Sequence, residues 1–264
     1  MKAAGTLTLT ENRRLADTLF LATFAVEAQH RPLLGGVRAG QFLMLRCDPS
    51  DPWRFQRPFS FVGVSPDAGE LSLYYKAVGD QTRKLSLTAP GAQLPALFPL
   101  GNAFTPPEDG EPAILVAGGI GVAPLLMFAR ELAAAGHPKP RFYFGAHTAA
   151  ELTLDYIAQF PAEFHFATDD GSHGHHGTVI DLLKADGVPP ETRVYACGPK
   201  PMLRALKAAL PREQRVEASL EEVMACGLGA CYGCAVPTDG LGADEMKLVC
   251  RDGPVFDLHR IMFD

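Results

Sequence analysis

The sequence predicts a multidomain α+β protein. An N-terminal antiparallel β-barrel comes first, then a central α/β domain with a parallel sheet, then a small C-terminal subdomain held by cysteines. Three observations carry this. The first hundred residues break into short apolar or alternating runs separated by Gly and Pro. Beyond residue 112, strand-like and helix-like stretches alternate at βα spacing. Four of the six cysteines lie between positions 226 and 250. The expected boundaries are 1–105, 112–215 and 216–264.

In the first part, Gln41 to Cys47 and Ser60 to Val64 are apolar runs of strand length. Leu71 to Lys76 alternates, with Leu71, Leu73 and Tyr75 on one face and Ser72, Tyr74 and Lys76 on the other. Gly35-Gly36, Pro49, Pro52, Pro66 and Pro90-Gly91 punctuate these runs, a pattern of barrels and sandwiches. Thr105 to Pro112, with three prolines and three acids, reads as a linker. Strands are then expected at Ala113–Ala117, Arg141–Gly145, Glu163–Thr168 and Arg193–Cys197. Helices are expected at Val122–Ala135, Thr178–Lys184 and Pro199–Leu210. Alternation of this kind builds an open parallel sheet with helices on its faces. The tail from about Glu217 has few long apolar runs and is expected to fold around a metal rather than a core.

Nearly half of the 264 residues are apolar, enough for a sizeable core. A net charge of −6 argues against nucleic acid as the main partner, because phosphate-binding surfaces carry a basic excess. No apolar run reaches the length of a membrane span, and Met1 to Arg14 lacks the pattern of a secretory signal. A cytoplasmic location is the expectation. In that compartment, clustered cysteines point to metal ligation more than to disulfides.

The cysteine spacing is the most specific signal. Cys226, Cys231, Cys234 and Cys250 read C-x4-C-x2-C-x15-C. A 2Fe-2S cluster needs four thiolates, two for each iron, and this is the plant-type ferredoxin spacing. Gly227, Gly229 and Gly233 lie between the ligands, where a tight loop often needs positive φ. Structural zinc and disulfides are the alternatives. Zinc more often takes paired C-x2-C knuckles, and only one such pair is present.

Ala117-Gly118-Gly119-Ile120-Gly121-Val122-Ala123-Pro124 follows a strand and opens a helix. Small residues there let a dinucleotide's pyrophosphate approach the backbone and helix N-terminus, although a plain strand-to-helix turn reads the same way. Pro124 stands where the fingerprint's third glycine belongs, and suits a first helical turn. Cys197-Gly198-Pro199 repeats the arrangement after the last sheet strand. Cys197 could face a nicotinamide ring; read alone, a buried small residue ending a strand is the stronger reading. Thr168 to Ser172 also follows a strand. The adjoining His173, His175 and His176 are read as a loop touching the dinucleotide rather than a metal site.

In the β-rich part, Arg57-Pro58-Phe59-Ser60 follows the aromatic segment Trp53-Arg54-Phe55. An arginine fork and a hydroxyl at a strand start suit a flavin's diphosphate and ring, though an Arg-Pro turn into a strand is commonplace. Tyr75-Lys76 and Gly79-Asp80-Gln81-Thr82 could bound the same site. Pro99-Leu100-Gly101-Asn102 reads as a turn.

The order of these motifs carries more than any one of them. RPFS, YKAVGDQT, PLGNAF, AGGIGVAPL, TDDGS and CGPKPML together resemble the ferredoxin-NADP reductase superfamily, which pairs a flavin-binding barrel with a nicotinamide-binding α/β domain. The tail MACGLGACYGC…CRDGPVF narrows the resemblance to the electron transfer subunits of type B, NAD-dependent dihydroorotate dehydrogenases. It extends from about Leu7 to Phe256. It implies that Arg57, Pro58, Phe59, Ser60, Tyr74, Tyr75, Lys76, Gln81 and Thr82 bind FAD. It implies that Gly118, Gly119, Gly121 and Gly198 bind NAD, with Cys197 as the catalytic residue near the nicotinamide. It implies that Cys226, Cys231, Cys234 and Cys250 hold the 2Fe-2S cluster.

The implied function is electron transfer in pyrimidine biosynthesis. Electrons would come from an FMN-containing catalytic subunit that oxidises dihydroorotate, and reach NAD⁺ through cluster and FAD. The implied assembly is a heterotetramer of two catalytic and two electron transfer subunits, with neither nucleic acid nor membrane as a partner. Two other readings remain: a different FAD/2Fe-2S ferredoxin–NAD(P) oxidoreductase subunit, and a zinc-binding or redox-sensing scaffold on a reductase fold.

Overall fold

A computed structural model describes residues 2–50, 55–239 and 244–263. Trp53 and Arg54, noted above, lie outside the described residues. The first hundred residues form β1 (Ala3–Arg14), β2 (Leu19–Val26), β3 (Phe42–Leu45), β4 (Arg57–Ser65), β5 (Glu70–Lys76) and β6 (Gln93–Leu100). These strands close into an antiparallel barrel in the order β1-β2-β5-β4-β3-β6, with β6 pairing back onto β1. Closure leaves no unpaired edge to be covered. Leu7, Leu9, Phe24, Leu43, Leu73 and Leu94 are buried in its core. The apolar runs mark β3, β4 and β5; β1, β2 and β6 complete the barrel.

The alternation read in β5 holds in part, because Tyr74 on its second face is buried as well. Its ring stacks on Tyr156 of the following domain, 5.7 Å between centroids, so both faces of the strand are covered. The stretch after β5 opens α1 (Asp80–Ser86).

The second part contributes β7 (Ala113–Gly118), α2 (Val122–Ala134), β8 (Arg141–Ala146), α3 (Leu154–Ile157), β9 (Glu163–Thr168), β10 (His175–His176), α4 (Val179–Asp186), β11 (Arg193–Cys197), α5 (Lys200–Ala209) and β12 (Val216–Ser219). The tail adds β13 (Ala235–Asp239), β14 (Asp244–Leu248), α6 (Val249–Asp252) and β15 (Val255–Asp257). The sheet order is β10-β9-β8-β7-β11-β12-β15, parallel except for β15. Ile114, Leu115, Val116 and Ala117 are all fully buried, as expected of a strand covered on both faces. The histidine segment is an edge strand rather than a loop: His175 and His176 pair with Ala167 and Thr168. Helix α2 packs against barrel strand β4, and the Glu131 carboxylate accepts from the Ala39 backbone N–H at 2.9 Å. Among the described residues, no helix is long and apolar enough to cross a membrane.

The tail departs from the expectation of a segment organised by metal alone. Cys234 and Cys250 are buried with Val236, Leu248, Val249, Leu258 and Ile261 in the core that runs under the sheet. A two-stranded hairpin such as β13–β14 is too small to be stable by itself, so the tail borrows the sheet edge through β15. The barrel's exit turn supplies the second anchor. Asn102 donates from Nδ2 to the Val255 carbonyl and accepts from its N–H, each at 2.9 Å. Gly101, at φ +75°, is needed because a Cβ there would lie 2.5 Å from Pro254 Cδ. Replacing Asn102 by Ala orphans both Val255 groups. Urea denaturation should register a loss of about 1–3 kcal/mol; an unchanged midpoint would rule out this anchor.

Candidate cofactor site

Where the barrel, the start of α2 and the segment after β12 converge, they enclose a cavity of about 860 Å³. Arg57, Pro58, Phe59 and Ser60 at the start of β4 form one wall, and Tyr74, Tyr75 and Lys76 at the end of β5 form the next. Ile120 and Ala123 come from the nucleotide half, and the stretch from Ser219 to Ala225 closes the far side. The aromatic walls are fixed from behind. Tyr75 stacks on Phe20 at 5.5 Å, meets Phe59 edge-on at 6.0 Å and donates its hydroxyl to Asn12 at 3.0 Å. Tyr74 shares a 3.1 Å hydrogen bond with the Thr153 hydroxyl, and Lys76 pairs with Glu151 at 2.7 Å.

Gln81 and Thr82 do not belong to this wall. Gln81 is buried, and its amide finds no hydrogen-bond partner. The Thr82 hydroxyl serves the start of α1, accepting from the N–H groups of Val78 and Gly79 at 3.1 Å. The rest of the donor set fits FAD: aromatic faces for a planar ring, with Arg57 and Lys76 as cations for a diphosphate.

Packing within the protein gives the glycines of the β7–α2 turn a physical reason of its own. A Cβ on Gly121 would overlap the Cys197 carbonyl, and one on Gly118 would lie 2.6 Å from Met202 Sδ. Gly198 is equally tight, 3.0 Å from the Gly118 nitrogen. These three let the β7 and β11 loops press on each other. Only Gly119, at φ +53°, faces open space, where an approaching dinucleotide finds room. Gly121→Ala should cost about 1–3 kcal/mol of stability by overpacking. A thermal melt equal to wild type would contradict the contact.

Cys197 lies on the wall of neither cavity described here and is buried. Burial pushes its thiol well above the usual range, the Glu221 carboxylate adds to this, and the Ser219 hydroxyl partly opposes it. It is therefore a neutral thiol. A second cavity of about 440 Å³, with Gly198, Lys200 and Arg204 on its wall, meets the first at Leu220, Glu221 and Glu222. Lys200 pairs with Glu222 there. Glu221 opens onto the cleft, yet the protein around it raises its carboxyl above the usual range. Sequence reasoning passed over this pair; two adjacent acids just before the first cysteine were the available signal.

Met224 and Ala225 lead from the cavity wall directly into the cysteine loop. Its sulfurs come as two pairs. Cys226 has Cys231 beside it and Cys250 has Cys234 beside it, and the Cys226 charge is felt at Cys250. Among the described residues, no three His, Cys, Asp or Glu side chains form a site for a single ion. Two thiolate pairs are what the two irons of a 2Fe-2S cluster need.

Burial works to raise the Cys226 thiol. The backbone N–H groups of Leu228, Cys231 and Ala230, with the Cys231 side chain, outweigh it and bring the thiol down to about 6. The Leu228 N–H lies 3.4 Å from the sulfur. Burial, with Cys234 beside it, pushes Cys250 up to about 12. Gly227 and Gly229 take positive φ as expected, but the third left-handed residue is Tyr232 rather than Gly233.

The site can be set beside known proteins. Residues 221–262 match the iron-sulfur cluster binding domain of dihydroorotate dehydrogenase B, and residues 115–208 match the oxidoreductase NAD-binding domain. The electron transfer subunit of NAD⁺-dependent dihydroorotate dehydrogenase B from Geobacillus kaustophilus is 37% identical over 258 residues, covering 95% of each chain. That from Listeria monocytogenes is 40% identical over 228 residues, covering 84% of this chain and 87% of its own. Among solved structures, an NADH-dependent reduced ferredoxin-NADP oxidoreductase superposes with a TM-score of 0.84 at 26% identity, covering 97% of this chain and 89% of its own. A Neisseria gonorrhoeae ferredoxin NADP⁺ reductase with bound FAD and NADP shares the fold at a TM-score of 0.65 and 17% identity, covering 78% and 89%.

Proposed function

The chain belongs to the family of dihydroorotate dehydrogenase B (NAD⁺) electron transfer subunits, and from that premise we propose which of its residues carry the work and how its partner meets it. It is an oxidoreductase subunit of pyrimidine biosynthesis that uses FAD, a 2Fe-2S cluster and NAD, and it acts with a catalytic subunit. We assign FAD to the barrel of residues 1–105, the dinucleotide to 112–215 and the cluster to 216–264. Arg57, Ser60 and Lys76 hold the flavin's polar groups, and Phe59, Tyr74 and Tyr75 its ring. Gly119 admits the dinucleotide. Cys226, Cys231, Cys234 and Cys250 ligate the irons.

One observation carries this reading above the others: a single segment, Ser219 to Ala225, is both a wall of the large cavity and the lead into Cys226. Electron transfer needs such adjacency. When bound, the cluster handles single electrons while the nicotinamide exchanges two as hydride, with the flavin between them. The chain's part is to hold these groups close, keep water from the ring behind the aromatic walls, and donate N–H groups to the sulfurs.

Val223, Leu228 and Tyr232 stand 81%, 52% and 63% exposed around the cysteines, large apolar groups left uncovered among the described residues. We assign that face to the catalytic subunit, which carries FMN and pairs with this chain two to two, in the cytoplasm. Anaerobic purification of this chain with the candidate catalytic subunit tests the reading. The complex should reduce NAD⁺ when given dihydroorotate, and each subunit alone should not. A complex with its full complement of cofactors that cannot do so would end the assignment.

A further inference from the structure

A short stretch of the nucleotide half, outside every motif named above, reaches across to the barrel. It follows β8 and runs to the end of α3, residues 147–157. Three of its side chains touch two residues of the cavity wall. Glu151 pairs with Lys76 at 2.7 Å, both side chains being only about a quarter exposed, 25% and 27%. The Thr153 hydroxyl meets the Tyr74 hydroxyl at 3.1 Å. The Tyr156 ring lies on that of Tyr74, 3° from parallel.

The backbone is bent to make these contacts. Thr153 sits at φ +46°, ψ +49°, a left-handed conformation that a β-branched residue adopts at a cost. Strain of this kind persists only where the surroundings over-determine it. The contacts of Thr153 and its neighbours with the barrel do so. The other end of the stretch is tied to the loop after β9. His147 meets Asp169 at 2.6 Å, and the Ala149 N–H donates to Ser172 at 2.8 Å. The same residues therefore join the edge of the nucleotide sheet to the wall of the large cavity.

We propose that Glu151, Thr153 and Tyr156 are positioning residues for the flavin, holding Lys76 and Tyr74 in the orientation in which they line the cavity. Both wall residues are long and swing freely unless something behind them fixes them. An unpaired Lys76 would explore solvent, and an unsupported Tyr74 would turn into the space its ring now borders. The nucleotide half thus completes a binding wall that the barrel alone leaves loose. This rests on the reading of the cavity as the FAD site, and the test separates the two.

The experiment follows FAD release from the purified holo chain after dilution, read by the fluorescence of freed flavin. Glu151→Ala should release FAD about fivefold faster, the size expected for a partly exposed charge-assisted bond. Glu151→Gln should stay within about twofold of wild type, because its amide oxygen still accepts from Lys76. Thr153→Val keeps the side-chain shape, removes only the hydroxyl and tests the Tyr74 arm without altering charge; it too should release faster.

The double variant Lys76→Met with Glu151→Ala should release no faster than Lys76→Met alone, since Glu151 acts through Lys76. Wild-type release from Glu151→Ala, or losses that multiply in the double variant, would overturn the positioning role. If Lys76→Met and Arg57→Ala also keep the wild-type rate, the cavity is not the flavin site and the earlier reading fails. If those two are fast and Glu151→Ala is not, only the positioning role fails.

Discussion

A Cys231→Ser chain is expected to lose its iron and acid-labile sulfide, and with them the coupling of dihydroorotate oxidation to NAD⁺ reduction. Cys231 is the exposed member of its pair, and its thiol is one of the groups that holds Cys226 toward the thiolate. Removing it takes one of two sulfurs from one iron, and a hydroxyl is a poor substitute for a thiolate on iron. Dihydroorotate-driven NADH formation by the assembled complex should fall about 100-fold or more, the scale on which damage to a metal site acts. Reduction of a dye by NADH should persist, because Cys231 itself lines neither cavity. Iron and sulfide analysis, the visible spectrum and the two assays together decide the matter. Retained iron with undiminished coupling would exclude the four cysteines as the relay.

Arg57→Ala is expected to purify with little FAD. Arg57 opens β4 on the cavity wall, and a planar guanidinium donates to a diphosphate in pairs. Losing a charge-assisted pair of bonds should weaken flavin binding by about 10- to 100-fold. Arg57→Lys should recover only part of this, because an ammonium keeps the charge and loses the fork. The measurement is flavin content per chain, followed by titration with added FAD. Full occupancy in Arg57→Ala would remove the residue from the site. The cluster gives an internal control: its iron content should be unchanged, since Gly227 and Cys250 pack against Met44, Leu100 and Cys234 and not against Arg57.

Much of the molecule was written in local pattern. The β/α alternation from Ala113 onward is clearest where strands are buried on both faces, as β7 and β11 are, because such burial demands continuous apolar runs of strand length. The cysteine spacing reports ligand chemistry directly, because a loop wrapped on a cluster has little freedom in length. β1, β2 and β6 were less legible, since a barrel strand half-covered by neighbours carries a weaker pattern than a buried parallel one. Gln81 and Thr82 do not line the large cavity, and a short stretch rich in turn residues reads alike whether it bounds a ligand or begins a helix.

What the sequence determined by itself was the kind of chemistry and the order of its parts: barrel, nucleotide sheet and four-thiolate tail. Residue types and spacings are local properties, and these features need nothing more. What only the tertiary structure decided was how the parts touch. Asn102 stitches the tail to the barrel, Gly118 and Gly121 make room for the loop after β11, and Glu151 reaches Lys76 across 75 positions. Each of these depends on atoms far apart in the chain being brought within a few ångströms, and no spacing along one segment encodes such a meeting.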